Sequence, residues 1–325
     1  MRKLLFTLIL AALAGGGYVA LQNFSIEGLE HLAVKPRGES VQSDPSLAPA
    51  VERRTDTIRI ASFNIQVFGK SKLANPKVMG ILADVIRRFD VVAIQEVRAT
   101  SDDILPQFVE MINASGRHYD YVIGPRLGRT NSKEQYAVLF DTASIEVDRN
   151  ALYTVEDPDD LLHREPLVAW MRVRGPPTNE AFTFKLIDIH TDPDETKQEL
   201  DALADVYRKV RDDGSNEDDV ILLGDLNVDD RHLGRLGEVS QITWVISGVP
   251  TNTRGNKQYD NILFSRAATS EFTGRSGVFD LIREFNITTE EALKVSDHMP
   301  IWAEFTIREG GQPGRVATRP FGATK

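Results

Sequence analysis

The chain has 325 residues, of which 41% are hydrophobic and 26% charged, the balance of an ordinary globular protein. Its formal net charge of −10 excludes a general polyanion-binding surface, so any contact with a nucleic acid must rest on local arginines. Cysteine is absent, which excludes disulfide scaffolds, thiolate nucleophiles and cysteine-ligated zinc.

Met1-Arg2-Lys3 is a basic start to an uncharged apolar stretch over 4–21. Residues 1–24 are therefore expected to be a signal peptide or an N-terminal membrane anchor. Ala12-Leu13-Ala14 offers small residues for cleavage, and the apolar run is just long enough for a short span. Either outcome implies export. Residues 25–56, with Pro36, Pro45 and Pro49 among polar side chains, read as a flexible linker. Residues 308–325, rich in glycine and poor in apolar side chains, read as a disordered tail.

Between them, residues 57–307 alternate strand and helix patterns. A strand is expected over 57–63, ending at Asn64. Asn75-Pro76 is an N-cap followed by a first-turn proline, and Val78, Ile81, Leu82, Val85, Ile86 and Phe89 then recur at helical spacing. A strand over 91–94 runs into Gln95-Glu96. A second helix carries Ile104, Leu105, Phe108, Val109 and Ile112 on one face. Further strands are expected over 121–123, 136–140, 167–173, 182–189, 262–264 and 300–305, with a helix over 195–211. The mixture of βαβ units and hairpin-like runs predicts packed sheets flanked by helices.

The densest signal is Val220-Ile221-Leu222-Leu223, an apolar run without a polar break that reads as a strand buried on both faces. Gly224 follows, and Asp225 and Asn227 emerge two apart on one face. A carboxylate beside an amide oxygen suits a hard divalent cation or a water it activates. Gly-Asp-x-Asn is also ordinary turn chemistry, so the motif gains weight from its companions. Asn64, Glu96 and His190 also fall at the carboxyl ends of expected strands, where open α/β sheets place ligands. Asp260 and Ser296-Asp297-His298 lie beside two more. Each has a bland alternative as a turn former, a solvated strand end or a structural histidine. Their joint occurrence at the ends of buried strands favours an active site.

The stretches Ile60-Ala61-Ser62-Phe63-Asn64-Ile65-Gln66, Ile94-Gln95-Glu96-Val97-Arg98, Gly224-Asp225-Leu226-Asn227, Tyr259-Asp260 and Ser296-Asp297-His298-Met299-Pro300 occur in that order. Together they resemble the endonuclease/exonuclease/phosphatase superfamily, over about residues 57–307. Leu127-Gly128-Arg129 with Lys133-Glu134-Gln135-Tyr136, then Arg164-Glu165-Pro166, then His190 with Pro193, resemble its deoxyribonuclease I branch. The resemblance implies a four-layer α/β/β/α sandwich of two mixed sheets flanked by helices. It also implies hydrolysis of phosphodiesters with Mg²⁺ or Mn²⁺, and Ca²⁺ as a further candidate ion. It makes Glu96, Asn64 and Asp297 the metal ligands. It gives Asp225 and Asn227 the attacking water or the phosphate oxygens, pairs His298 with Asp260 and His190 with Glu134, and assigns Arg98, Arg129 and Arg164 to the DNA backbone.

The chemistry is consistent with those roles. An anionic diester repels hydroxide, so a cation must neutralise it. Charge gathered on the non-bridging oxygens is stabilised by histidine and arginine donors. A carboxylate-held histidine is oriented and kept cationic, able to protonate a leaving oxygen. Two departures stand out. Asn131-Ser132 occupies the place of a tyrosine that packs into the minor groove, and Asp230 and Lys257 stand roughly where a disulfide would be, leaving the intervening loop looser or held by a charge pair. The leading expectation is an exported, monomeric endonuclease acting on DNA, double-stranded by preference, with membrane contact only through residues 1–24. The alternative is a phosphatase or phosphodiesterase acting on a lipid or sugar-phosphate headgroup. A catalytically dead binding module is disfavoured, because Glu96, Asp225 and His298 are all present.

Overall fold

The computed structural model describes residues 56–129 and 133–310. The expected leader over 1–24, all but the last residue of the linker, Asn131-Ser132, and the tail from 311 lie outside the described residues. Among the described residues no helix is long and apolar enough to cross a membrane.

Twelve strands form two six-stranded sheets. The first sheet orders as β11 (Phe272–Val278), β12 (Ile301–Thr306), β1 (Thr57–Phe68), β2 (Val91–Val97), β4 (Gln135–Asp141) and β3 (Tyr119–Ile123). The second orders as β5 (Ile145–Thr154), β6 (Leu167–Val173), β7 (Thr183–His190), β8 (Val220–Asp225), β10 (Asp260–Ser265) and β9 (Ile242–Trp244). β1 with β2, and β7 with β8, are parallel, and the other pairings are antiparallel. Both sheets are therefore mixed, as expected.

Helices cover the outer faces. On the first sheet lie α1 (Lys70–Leu73), α2 (Pro76–Ile86), α3 (Ile104–Asn113), α6 (Leu281–Phe285) and α7 (Thr289–Val295). On the second lie α4 (Thr196–Arg211) and α5 (Gly234–Gly237). The Asn75 side chain accepts from Val78 N and Pro76 opens the first turn of α2, a cap of about 1 kcal/mol. Three apolar layers result, and the alternation along each strand decides which layer a side chain joins. Ala61, Phe63 and Ile65 of β1 pack under α2 and α3, whereas Ile58 and Ile60 face the second sheet. Ile221 and Leu223 of β8 join that same inter-sheet layer, while Val220 and Leu222 pack under α4.

The inter-sheet rows turn polar at one end. Following the two-residue period, Ile58 and Ile60 lead to Ser62 and Asn64; Val91 and Ala93 lead to Gln95; Phe184 and Leu186 lead to Asp188 and His190. Ile221 and Leu223 lead to Asp225, and the rows of Tyr136 with Val138 and of Ile262 with Phe264 begin at Glu134 and Asp260. The polar cluster is thus the open end of the central core, which explains how so many ionisable groups come to be buried there.

Candidate active site

Register places the centre of the cluster. β7 and β8 pair in parallel with His190 opposite Asp225, and β10 pairs antiparallel to β8 with Asp260 opposite the same residue. His190, Asp225 and Asp260 therefore stand in one row across three neighbouring strands. Gly224 makes the approach possible. Its φ is +148° and a Cβ built there would lie 1.9 Å from the Ile189 carbonyl oxygen, a distance no side chain tolerates.

Asp225 is 1% exposed, and its Oδ2 is a hub. It lies 3.5 Å from His190 Nε2 and 3.4 Å from His298 Nε2, and accepts from Asn64 Nδ2 at 3.0 Å. Oδ1 accepts from Asn227 N at 2.9 Å. Asn227 adopts a φ of +52°, and its amide donates to the Thr191 carbonyl at 2.9 Å. The pair expected from strand spacing is thus present, but as a tight turn in which the amide secures the loop.

Each histidine is backed by its own carboxylate. His190 Nδ1 lies 2.7 Å from Glu134 Oε1, and His298 Nδ1 lies 2.9 Å from Asp260 Oδ2. Thr251 Oγ1 donates to the same Asp260 oxygen at 2.6 Å. Burial opposes the charged form of His298, but the Asp260 and Asp225 carboxylates outweigh it and hold its pKa well above the ordinary range. His190 follows the same balance, burial being outweighed by the Glu134 hydrogen bond and by Asp225. For Glu134, burial is outweighed by His190, Arg164 and Arg98, so its pKa is lowered. Asp260 moves the other way, because burial dominates and raises it. Both imidazoles therefore present Nε2 to one carboxylate oxygen, each held by a second carboxylate at Nδ1.

Glu96 sits beside this hub. Its φ of +63° breaks the strand alternation of β2, a conformation that costs a non-glycine residue on the order of 1–3 kcal/mol. The carboxylate accepts from Asn64 Nδ2 at 3.3 Å and from Val67 N at 2.8 Å. Asn64 is therefore interior to a strand that continues to Phe68, not at the carboxyl end expected near residue 63. Gln66 and Val67, with φ of +43° and +53°, form the irregular segment that brings Val67 N to Glu96. Asp297 Oδ1 is buried without a hydrogen-bond partner, and Lys72 feels the charges of both Glu96 and Asp297. An all-oxygen set containing an unsatisfied buried carboxylate oxygen fits a hard divalent cation. Asp225, Asp260 and His298 also bring one ligand atom each within 4.8 Å of one another.

The three arginines differ. Arg98 places NH2 3.1 Å from Glu96 Oε2 and 3.6 Å from Glu134 Oε2, joining the expected metal ligand to the histidine pair. Arg164 is only 7% exposed; it donates to the His190 carbonyl at 2.9 Å and lies 3.1 Å from Glu134 Oε1. Its contacts brace the histidine pair from inside. Arg129 is engaged by Asp160 at 3.0 Å and Glu195 at 2.6 Å. Nor does Asp230 pair with Lys257 across the missing disulfide. Its carboxylate accepts from Ser247 Oγ at 2.6 Å and Gly248 N at 3.2 Å, since a short loop with free donors lies nearer than the lysine. Beyond it a polar groove of about 490 Å³, lined by Asn227, Arg231, His232, Lys257 and Tyr259 among others, leads away from the hub.

Several supporting groups carried no sequence signal of their own. The Tyr136 hydroxyl accepts from His190 N at 2.9 Å. Ser296 Oγ donates to the Asn64 carbonyl at 2.6 Å and accepts from His298 N at 3.0 Å. Lys72 Nζ donates to the carbonyls of Ile65 and Val295; burial lowers its pKa to about 8 against the pull of Glu96 and Asp297. Gln95 donates to Asp188 Oδ1 at 2.6 Å beneath the cluster. Tyr136 and Ser296 lay inside motifs already singled out, and strand alternation could have shown that Tyr136 points inward.

Two carboxylate-backed histidines meeting at one acid, at the open end of an α/β/β/α sandwich, describe a phosphoester hydrolase. The chain belongs to the Endonuclease/Exonuclease/phosphatase family, whose profile matches residues 61–298, and is an enzyme of its phosphodiesterase and nuclease class. It is 34% identical over 270 residues to deoxyribonuclease gamma of Rattus norvegicus, covering 78% of this chain and 85% of that one. It is 32% identical over 262 residues to deoxyribonuclease-1-like 2 of Mus musculus, covering 76% and 91%. In fold it is similar to D. rerio TDP2 complexed with single strand DNA product, with a TM-score of 0.53 at 15% identity, covering 77% of this chain and 98% of that one.

Proposed function

We propose that this chain is an exported, divalent-metal-dependent endonuclease that hydrolyses DNA with little sequence preference. The observation that carries the reading is the Asp225 Oδ2 hub, shared by both histidine Nε2 atoms and by Asn64. The 34% identity to a deoxyribonuclease over most of its length supports DNA as the substrate. Export, the monomeric state and membrane contact rest on residues 1–24 and the sequence pattern alone.

In this reading Glu96, Asn64 and Asp297 hold Mg²⁺ or Mn²⁺, which would neutralise the phosphate and make it attackable. His298 and His190, kept cationic by Asp260 and Glu134, donate to the phosphate oxygens, and one of them protonates the leaving oxygen. Asp225, whose Oδ2 lies within 3.5 Å of both imidazole Nε2 atoms, orients the attacking water, and Asn227 fixes the turn from which it acts. Arg98 is exposed enough to meet a phosphate, whereas Arg164 contributes chiefly by orienting Glu134 and His190. The groove past Asn227 carries Arg231 and Lys257 but also Asp229 and Asp230, so the phosphate contacts rest on Arg98. Phosphate contacts of this kind position without reading bases.

The test is incubation of the purified protein with supercoiled plasmid, single-stranded DNA, RNA, phosphoinositides and sphingomyelin, with Mg²⁺, Mn²⁺ or EDTA. Metal-dependent nicking of the plasmid is expected. Intact plasmid under every metal, with a phospholipid or sugar phosphate hydrolysed instead, would replace this reading by the headgroup enzyme.

A further inference from the structure

A second acidic cluster lies at the opposite end of the sandwich. Asp219 immediately precedes β8, Glu271 immediately precedes β11, and Glu309 follows β12. Each offers one carboxylate oxygen, and the three atoms lie within 4.8 Å of one another. Six residues of strand separate Asp219 from Asp225, about 20 Å at the ~3.3 Å rise of a strand. The cluster is therefore independent of the catalytic groups.

Its environment is not that of ordinary surface acids. Asp219 is 1% exposed and Glu271 0%. Both carboxylate oxygens of Asp219, and Oε2 of Glu271, are buried without a hydrogen-bond partner. The Thr269 hydroxyl, also buried, stands beside Asp219 as the neutral donor available to its carboxylate. Among the described residues none of the three acids forms an ion pair: the nearby cations Lys185 and Arg308 are engaged by Asp213 and Glu180. Some of the acids' other groups are spent. The Asp219 and Glu271 carbonyls accept from Lys185 N and Thr306 N, both at 2.8 Å, Glu309 Oε2 accepts from Thr183 N at 3.2 Å, and Gly310 N donates to Glu271 Oε1.

Unpaired buried carboxylates cost several kcal/mol each if ionised, so the cluster must take up either protons or a cation. We propose that Asp219, Glu271 and Glu309, with the Thr269 hydroxyl, form a calcium site that clasps the two sheets at the end away from the active site. Oxygen-only donors select a hard cation, and the irregular set suits Ca²⁺, which accepts six to eight oxygens in flexible geometry, better than Mg²⁺ with its octahedral demand. Glu309 is exposed, so water completes the shell from its side. The ion would tie Asp219 of the second sheet to Glu271 of the first, and both to the chain leaving β12. Proton uptake is the rival: burial, with Glu271 adding its charge, raises the Asp219 pKa to about 9 in the ion-free cluster.

The experiment is calorimetric titration of the metal-stripped full chain with Ca²⁺, alongside Asp219→Asn and Glu309→Gln. Luminescence of bound Tb³⁺, used as a calcium stand-in, is followed in parallel. Trp170 is a ready sensitiser, because its Nε1 donates to Glu217 Oε2 at 3.3 Å while Glu217 Oε1 accepts from Asp219 N at 3.0 Å. Wild type is expected to bind one more Ca²⁺ than Asp219→Asn, and to show Tb³⁺ luminescence that Ca²⁺ displaces and that this variant lacks. Glu309→Gln, altered only at an exposed side chain, should fold normally and bind that ion about tenfold more weakly. Equal stoichiometry in wild type and Asp219→Asn, or unchanged affinity in Glu309→Gln, would overturn the proposal and leave the proton-sharing cluster in its place.

Discussion

Asp260→Asn is the sharpest probe of the proposed chemistry. In the wild type, His298 Nδ1 and Asp260 Oδ2 are 2.9 Å apart in a buried setting, and Thr251 donates to the same oxygen. The substitution keeps shape and the Thr251 bond but removes the charge. A buried hydrogen bond to a charged group is worth about 1.5–3 kcal/mol. Losing that stabilisation of the imidazolium should lower the His298 pKa. The sign follows from the balance: burial disfavours the cation, and Asp225 and Asp297 alone would remain to oppose it once the Asp260 charge and hydrogen bond are gone. The alkaline limb of the pH–rate profile, which reports loss of the imidazolium, should therefore move to lower pH. At neutral pH the rate should fall by about 10²–10⁴-fold, the usual scale of one general acid–base contribution. Stability carries the same signature. A raised histidine pKa stabilises the fold fully below the unfolded value of ~6.5 and is lost as pH rises through the folded one, so the variant should lose stability chiefly at neutral pH and below. Initial rates of plasmid nicking across weakly acidic to weakly alkaline pH, with the His298 resonance followed by NMR, measure both. An alkaline limb that stays in place would refute the pairing as the source of the His298 charge.

Glu96→Gln should abolish nicking while leaving the circular dichroism spectrum intact, because the side chain is a partly exposed end of the cluster; retained turnover in Mg²⁺ would remove it from the metal site. Gly224→Ala should destabilise the fold by more than ~3 kcal/mol in urea melts, since its Cβ would meet the Ile189 carbonyl at 1.9 Å, and a native-like midpoint would show that β7 and β8 can part without cost. Glu199 is 1% exposed and burial raises its pKa from 4.5 to about 7, although it accepts from His163 N and Asp192 N. Wild type should therefore lose on the order of 3 kcal/mol as pH rises through that window, a loss that Glu199→Gln should not show in pH-dependent melts. Arg98→Ala should lower DNA affinity and reduce the salt slope of binding by about one, whereas an unchanged slope would take Arg98 off the phosphate path.

What a sequence displays is periodicity along one segment, and that is where its reading went furthest. The buried run before Gly224 and the helical repeat after Pro76 follow from local period, whereas the same-face placement expected of Asp225 and Asn227 gives way to a turn, because the strand ends at Asp225 and Asn227 adopts a φ of +52°. Motif resemblance supplied the two histidine–carboxylate pairs, whose members are separated by 56 and 38 residues. Contacts of that range leave no local trace. The same limit hid the hub: that His190 and Asp260 flank Asp225 depends on which strands are neighbours and on register. Arg164 illustrates a second limit. A basic side chain in a loop reads as exposed, yet burial against Glu134 and the His190 carbonyl makes it part of the interior.

These two limits have one physical origin, and it explains why the site lies where it does. Along β1, β7 and β8 the side chains facing the other sheet are apolar for two steps and then polar, and antiparallel β10 shows the same order in reverse, so a single alternation builds both the core and the cluster. The polar ends cannot be solvated singly, because the opposing sheet covers them. Most must find a partner across a strand or across the sandwich, and the two histidine–carboxylate pairs each cross a long sequence interval. Asp225 satisfies this demand for three neighbours with one oxygen, which is why removing its charge should cost more than removing any one of theirs. The other end of the same sandwich holds Asp219 and Glu271 under the same constraint but without histidine or arginine partners. A core that closes one end with fixed cations from its own chain is left, at the other, to obtain its countercharge from solution.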